Sequence, residues 1–149
     1  MTPLDLSSDD IELLGDAVAL AAKQWRAAVA AISDKYSLGP RGVRILGLID
    51  SGRAMAHSDL VAIFQCAPSL VSNEVSKLRG AGLIDTRQSD LDGRQFELSL
   101  TPLGKEANDR VSKRLAKMGR ERLAQYSRQD ILLCVGLLQR LARSDGYRF

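Results

Sequence analysis

Small polar side chains recur along one predicted helix near the middle of the chain. They are Ser69, Ser72, Asn73 and Ser76, followed by Lys77. The carboxamide of Asn73 can form a pair of hydrogen bonds with N6 and N7 of adenine, hydroxyls reach phosphates or base edges, and an ammonium group neutralises backbone charge. An ordinary solvated helix face explains the same residues, so this pattern alone leaves both interpretations open.

The apolar residues of the same segment predict a helix with one buried side. Val71, Val75 and Leu78 lie at i, i+4 and i+7, which places them on one face and leaves the polar residues on the opposite face. Pro68 suits the first position of this helix. The glycine-rich residues 80–82 are predicted to end it.

A shorter helix is predicted just before this one. Ser58 is expected to cap a helix over residues 59–65, with Asp59 at the positive end of its dipole. His57, the only histidine of the chain, precedes that cap and is expected to have a surface or capping role. Two helices joined by a tight turn predict a helix-turn-helix, whose second helix enters the major groove of DNA.

A β-hairpin is predicted after the helix-turn-helix, with strands at residues 83–88 and 95–101. The turn signal is Asp92-Gly93, and Arg87 and Arg94 flank this turn. An arginine at the tip of a hairpin can insert into a narrow minor groove, where the potential is most negative. Asp92 is expected to orient Arg94 for that contact. The alternative is an ordinary exposed ion pair in a turn, which contributes little to stability.

A long amphipathic helix is predicted at the start of the chain, capped by Ser7 or Ser8. Its apolar stripe recurs at alternating three- and four-residue steps: Ile11, Leu14, Val18, Ala21, Trp25, Val29, Ile32 and Tyr36. A short second helix should follow from Pro40 to residues 51–52. The stripe is longer than a small domain needs, so a partner helix from a second subunit is expected to cover it.

Two helices are predicted at the end of the chain. Thr101 and Pro102 supply the cap and first position of a long basic helix that runs to about residue 125, and Ser127 caps the last helix. Residues 131–138 are apolar almost all round. This surplus of apolar surface predicts a homodimer.

Composition and charge fit one globular domain and exclude several classes. The chain has 149 residues, 45% hydrophobic and 26% charged, which is ordinary for a folded protein. Residues 37–104 carry seven basic and seven acidic side chains despite a net charge of +3 for the whole chain, so charge alone does not predict binding to nucleic acid. No apolar run is long enough to span a membrane, and the acidic start lacks the pattern of a signal peptide. A cytoplasmic protein is expected.

The remaining reactive side chains predict neither a cofactor nor a metal site. Cys66 and Cys134 lack CxxC spacing, and both are interpreted as buried structural cysteines rather than redox sensors. Trp25 and Tyr36 are interpreted as packing residues, although aromatic side chains in this position can also line a ligand pocket. An enzyme is not expected, because no paired carboxylates, nucleophile–base pair or phosphate-binding loop is visible.

The sequence resembles the MarR family of winged helix-turn-helix regulators. The resemblance is strongest over residues 58–106 and rests on residues of the two short helices, the hairpin turn and the start of the next helix: Asp59-Leu60-Val61, Phe64, Val71-Ser72, Val75, Leu78, Gly82-Leu83-Ile84, Asp92-Gly93-Arg94 and Leu100-Thr101-Pro102-Leu103-Gly104. Gln65 departs from the pattern, because glycine is frequent at this point in the family.

The expected architecture is mainly α with a small β-hairpin wing, a winged helix-turn-helix lobe joined to a helical dimerisation region. Residues 1–36 form the N-terminal dimerisation helix, 37–104 the DNA-binding lobe and 105–149 the C-terminal dimerisation helices, as one intertwined domain. The resemblance implies a homodimeric, ligand-responsive repressor that binds a pseudo-palindromic operator in double-stranded DNA. It also implies that Asn73 and its neighbours read the major groove and Arg94 the minor groove. The alternative is a winged-helix module that binds protein without tight DNA binding.

Overall fold

The computed structural model describes residues 5–88 and 96–142. Its order of elements is α1 (Ser8–Ser33), a 3₁₀ turn (Asp34–Tyr36), α2 (Pro40–Asp50), α3 (His57–Phe64), α4 (Pro68–Gly80), β1 (Ile84–Gln88), β2 (Phe96–Leu100), α5 (Pro102–Arg122) and α6 (Arg128–Leu141). The predicted class, mainly α with a small β-hairpin, is confirmed.

Two of the helices begin at the serine caps that the sequence predicts. The Ser7 hydroxyl accepts from the Asp10 N–H at 3.1 Å, and the Asp10 carboxylate accepts from the Ser7 N–H at 3.0 Å. Ser127 and Asp130 form the same reciprocal pair at the start of α6. Because these bonds satisfy N–H groups that have no partner within the helix, they fix where α1 and α6 begin.

The predicted cap of α3 is wrong. The helix begins at His57, one residue before Ser58, and Ala56 occupies the cap position. The Asp59 carboxylate accepts from the N–H groups of Met55 and Ala56 at 2.8 and 2.9 Å. A carboxylate that reaches back in this way satisfies the free N–H groups without a capping hydroxyl, so α3 can begin one residue earlier.

The first helix also ends earlier than its apolar stripe suggests. α1 stops at Ser33, and Tyr36 lies in the 3₁₀ turn. The buried Ser33 hydroxyl lies 2.7 Å from the carbonyl oxygens of both Val29 and Leu38, and Ser37 adopts a left-handed φ of 55°. This turn directs the chain from α1 into α2.

The described chain divides into two compact units, with the boundary between Leu115 and Ala116 inside α5. In the first unit, α2, α3, α4 and the hairpin enclose one core. Its largest fully buried side chains are Ile45, Leu46, Leu48, Leu60, Val71, Leu83 and Ile84. The second unit contains the end of α5 and all of α6. The division at residues 36 and 104 remains a prediction.

The antiparallel hairpin pairs Ile84 with Leu100 at one end and Gln88 with Phe96 at the other. The Leu98 N–H also donates to the Met55 carbonyl at 2.8 Å, which ties β2 to the segment before α3. The predicted alternation of β2 holds only in part, because Leu98 is buried whereas the Phe96 side chain is 56% exposed. Phe96 is the first residue of its strand, beyond the reach of the core.

The helices assigned to dimerisation expose much of their apolar surface in the single chain. On α1 only Val29 and Ser33 are buried, and on α6 no described residue is. The expectation that Cys134 is buried is therefore wrong for the single chain, because this residue is exposed on α6. Cys66 packs partly buried against the core of the first unit.

Candidate nucleic-acid interface

The structure brings the predicted residues of α4 to one exposed surface. Val71, Val75 and Leu78 are buried in the core, with at most 7% of each residue exposed. The residues on the outer side are all exposed: Ser69, Ser72, Asn73, Ser76 and Lys77. We call these five residues the α4 polar face. The sequence prediction that α4 buries its valines and presents this face to solvent is confirmed.

The α4 polar face carries little free charge. The Lys77 ammonium lies 3.7 Å from the Glu74 carboxylate one turn earlier. An exposed ion pair of this kind is weak, so Lys77 can exchange this partner for a phosphate. Glu74 itself would repel phosphate, and the pairing with Lys77 offsets part of that charge.

The turn between α3 and α4 sets the direction of the α4 polar face. Gln65 ends α3 with φ 47° and ψ 48°, and its N–H donates to the Val61 carbonyl at 2.9 Å. A residue with a Cβ pays roughly 1–2 kcal/mol for this left-handed conformation. Gln65 therefore adopts a backbone conformation for which glycine is the usual residue. The packed core offsets this conformational cost.

One hydrogen bond links α3 directly to the α4 polar face. His57 Nε2 lies 3.0 Å from the Ser72 hydroxyl oxygen. The sequence prediction assigned His57 only a surface or capping role and did not connect it to Ser72. Nothing in a spacing of 15 residues signals this contact, because the turn between the two helices creates it.

The hairpin contributes one of its two predicted arginines to the described surface. Arg87 faces Glu97 across the two strands, and its guanidinium nitrogen lies 3.4 Å from the Glu97 carboxylate. Arg87 thus reaches solvent with its charge partly neutralised. Arg94 and Asp92 lie outside the described residues, and their predicted roles remain predictions.

The junction between the hairpin and α5 fixes the hairpin to the helix-turn-helix. The Thr101 hydroxyl donates to the Gly82 carbonyl at 2.6 Å and accepts from the Gly104 N–H at 3.0 Å. The predicted threonine cap of α5 is therefore present. One turn later, the Lys105 ammonium and the Asn108 amide bind the two carboxylate oxygens of Asp50 at 3.3 and 3.2 Å. These contacts join α5 to the end of α2.

A cavity of about 480 Å³ lies between α1, α2 and the first unit's part of α5. Trp25 lines it and is 50% exposed, so this side chain is not the packed residue that the sequence favoured. Val29, Val43 and Leu115 supply apolar walls, and Arg44 supplies a positive charge. This composition suits a small ligand that carries both apolar and anionic groups.

A second, more basic pocket of about 320 Å³ lies beside Tyr36. Its cationic side chains are Lys35, Arg110, Lys113 and Arg114. Tyr36 packs against the core of the first unit, as predicted, and its buried hydroxyl has no hydrogen-bond partner. Within residues 5–88 and 96–142, no cluster of three or more metal-ligating side chains occurs, and no helix is long and apolar enough to cross a membrane.

Comparison with known proteins finds similarity in structure rather than in sequence. No protein-family model and no curated protein sequence matches the chain. A mutant MarR from E. coli complexed with operator DNA superposes with a TM-score of 0.76 at 12% identity, covering 95% of this chain and 100% of that one.

Two further solved structures agree with this result. The transcription regulator MarR from Oenococcus oeni gives a TM-score of 0.73 at 18% identity, covering 88% of this chain and 99% of that one. A mutant MepR from S. aureus bound to an oligodeoxyribonucleotide gives 0.61 at 15% identity, covering 86% and 94%. The order of helices, hairpin and long final helices, together with these superpositions, shows that this chain has the winged-helix fold of the MarR family of transcription regulators.

Proposed function

We propose that this protein is a sequence-specific DNA-binding transcription regulator that acts in the cytoplasm as a homodimer. The observation that carries this proposal is the α4 polar face, which presents small hydrogen-bonding side chains on the side of α4 opposite the buried Val71 and Val75. Two proteins of the same fold were crystallised with DNA. No catalytic role is part of the proposal.

In this proposal α4 enters the major groove. Small side chains such as Ser69 and Ser76 allow a close approach, Asn73 pairs with an adenine edge, and Lys77 neutralises phosphate. Arg94 enters the neighbouring minor groove, where the closely spaced phosphates of the two strands attract a guanidinium. Arg87 exchanges its ion pair with Glu97 for a contact with the DNA backbone.

A homodimer follows from the apolar surface that the single chain leaves exposed. Leu14 on the apolar stripe of α1 is 45% exposed and Leu133 on α6 is 66% exposed, and both helices present further apolar side chains. Burial of such surface is worth roughly 25 cal/mol per Å². A symmetric dimer would present two α4 helices to successive major grooves, about 34–36 Å apart, and would therefore bind a pseudo-palindromic site.

We expect that a small molecule regulates DNA binding and that the protein acts as a repressor. The cavity beside Trp25 lies between α1 and α2, so a ligand there would couple the dimerisation helix to the DNA-binding lobe. Trp25 is the only tryptophan of the chain, so quenching of its fluorescence by aromatic carboxylates would report occupancy directly. The Arg44→Ala variant should weaken that quenching.

A winged-helix module that binds protein is the second candidate. The balanced charge of residues 37–104 favours it, and so does the pairing of Lys77 and Arg87 with carboxylates. Such a surface would bind a partner with little dependence on salt, whereas binding to DNA weakens steeply as salt rises.

Selection from a random duplex library distinguishes the two candidates. We expect the purified protein to enrich a pseudo-palindromic sequence and to bind it more tightly than mixed-sequence DNA. In a gel-shift assay, it should also retard a DNA fragment from the promoter region beside its own gene. A double variant with Ser69→Glu and Ser76→Glu should lose binding to DNA, because two carboxylates would face phosphate. Circular dichroism and light scattering check that this variant keeps its fold and dimer. No enrichment by a folded dimer would favour the protein-binding candidate.

A further inference from the structure

The contact between His57 and Ser72 joins a titratable group to the surface proposed to bind DNA. His57 is the first residue of α3 and is half-buried, whereas Ser72 is exposed on α4. Ser72 neighbours both Ser69 and Ser76, which lie three residues before and four residues after it on the helix surface. The imidazole therefore sits at the edge of the α4 polar face.

The direction of this hydrogen bond depends on the tautomer of the neutral imidazole and on its protonation. A neutral ring that carries its proton on Nδ1 accepts at Nε2, and the Ser72 hydroxyl then donates its only hydrogen to His57. A protonated ring has N–H groups at both nitrogens and can only donate. The hydroxyl then accepts from Nε2, and its own hydrogen is free to bind an acceptor outside the protein.

We propose that His57 is a positioning residue that makes DNA binding by this protein dependent on pH. The protonated ring turns the Ser72 hydroxyl hydrogen outward toward a phosphate or base acceptor, and it places one further positive charge beside the DNA. This inference rests on the proposed function, because it requires that the α4 polar face meets DNA. Affinity for DNA should rise as the pH falls through the range in which imidazole gains its proton.

The charged groups on the elements packed against α3 do not provide an alternative switch. On α3 itself, Asp59 is held by the N–H groups of Met55 and Ala56. α4 carries Glu74 and Lys77, which pair with each other, and Arg79. β2 carries Glu97, which pairs with Arg87. Carboxylates ordinarily titrate near pH 4, and lysine and arginine above pH 10, so histidine is the group on these elements suited to change charge between pH 5 and 8.

Fluorescence anisotropy at constant ionic strength tests the proposal. The probe is a labelled mixed-sequence duplex of roughly 30 base pairs, which is long enough for two half-sites. Affinity of the unchanged protein should rise about tenfold from pH 8 to pH 5.5, the ratio expected for one charge-assisted hydrogen bond. His57→Gln should remove most of this dependence, because glutamine can still bond to Ser72 but does not titrate. Ser72→Ala should reduce it by less, since the charge of His57 remains.

A second measurement keeps the proposal testable if His57→Gln folds poorly. The chain has a single histidine, so its ring protons give one titrating set of signals by NMR. Addition of duplex near neutral pH should move these signals toward the positions of the protonated ring, because DNA binds the protonated form more tightly. If His57 had a merely structural role, His57→Gln would not change the pH dependence of binding. Addition of duplex would then not move the histidine signals either.

The outcomes separate this inference from the proposed function. DNA binding with the same pH dependence in His57→Gln would overturn the role of His57 and leave the proposed function intact. No binding to mixed-sequence or selected DNA at any pH would overturn both. Binding that weakens as pH falls would also overturn the inference, because it has the opposite sign.

Discussion

Gly104 in the first turn of α5 lies directly against the backbone of Leu83. A Cβ placed on Gly104 would overlap the Leu83 carbonyl oxygen. The same oxygen accepts from the Thr101 N–H at 3.1 Å, so it cannot move away without loss of that bond. A glycine is therefore required at this position for the close approach of α5 to the Leu83 backbone. Because Gly104 has no side chain, α5 can begin beside the hairpin.

Gly104→Ala should lower stability by about 1–3 kcal/mol, as expected when a side chain is forced into packed structure. The clash is with backbone, which a change of rotamer cannot relieve. Gly119→Ala in the same helix is the matched control, because a Cβ there meets nothing within 4 Å. This control should be neutral or gain roughly 0.5–1 kcal/mol from helix propensity. Thermal unfolding of the two variants checks the difference, and equal midpoints would contradict the steric argument.

Asn73→Ala should lose discrimination between selected and mixed-sequence DNA while keeping non-specific binding. A contact to a base edge contributes roughly 1–3 kcal/mol of specificity. Lys77→Ala is the contrasting variant, because loss of a phosphate contact weakens binding to all sequences alike and lowers the salt dependence. Competition titrations measure both. An equal loss on every sequence in Asn73→Ala would assign this residue to backbone contact.

Arg94→Ala should weaken binding to selected DNA and lower the slope of log affinity against log salt by roughly one unit, the value for one lost cationic contact. Arg94→Lys keeps the charge but lacks the planar guanidinium. It should restore affinity only in part if the side chain enters a groove. Arg87→Ala should have a smaller effect, because Glu97 already neutralises part of its charge. Unchanged salt dependence in Arg94→Ala would show that the hairpin does not contact DNA as proposed.

Leu14→Glu and Leu133→Glu should shift the protein from dimer to monomer. Each variant places a carboxylate in the apolar surface of α1 or α6 that we expect the second subunit to cover, and burial of an unpaired charge is strongly unfavourable. Met55→Glu is the matched control, because Met55 is 60% exposed but lies on neither helix. Light scattering at micromolar concentration measures the result. A monomeric unchanged protein would contradict the dimer and the geometry with two half-sites.

The serine caps predict how acid affects the helices. The hydroxyl and the N–H of Ser7 hold the pKa of Asp10 below its ordinary value, and the N–H and hydroxyl of Ser127 do the same to the pKa of Asp130. Because each folded pKa is lowered, the stabilisation is present above the ordinary aspartate pKa of about 3.9 and is lost as pH falls through the lowered value.

Asp130→Asn should therefore lower the thermal midpoint at neutral pH and reduce the further loss on acidification. Asparagine at that position carries no charge to lose. Asp16→Asn removes a carboxylate from α1 outside the caps and should leave the acid-dependent loss almost unchanged. Circular dichroism at 222 nm between about pH 2 and 6 follows the melting of the helices. A midpoint of Asp130→Asn that falls as steeply as that of the unchanged protein would contradict the role of this cap.

Much of the fold could be predicted because its signals are local. The spacing of Val71, Val75 and Leu78 determines which side of α4 is buried, and the serines at residues 7 and 127 cap their helices through bonds three residues long. The polar face of α4 follows from the same periodicity. These features depend on neighbours within one or two turns, so the order of residues is enough to specify them.

The remaining features depend on which elements meet, and only the tertiary structure decided them. Asp59 rather than Ser58 satisfies the start of α3, because the preceding segment is held against β2. The turn at Gln65 brings His57 to Ser72, residues with no periodic relationship in the sequence. Exposure of Trp25 and Cys134 likewise could not be foreseen, since an apolar residue on a helix is buried only where another surface covers it.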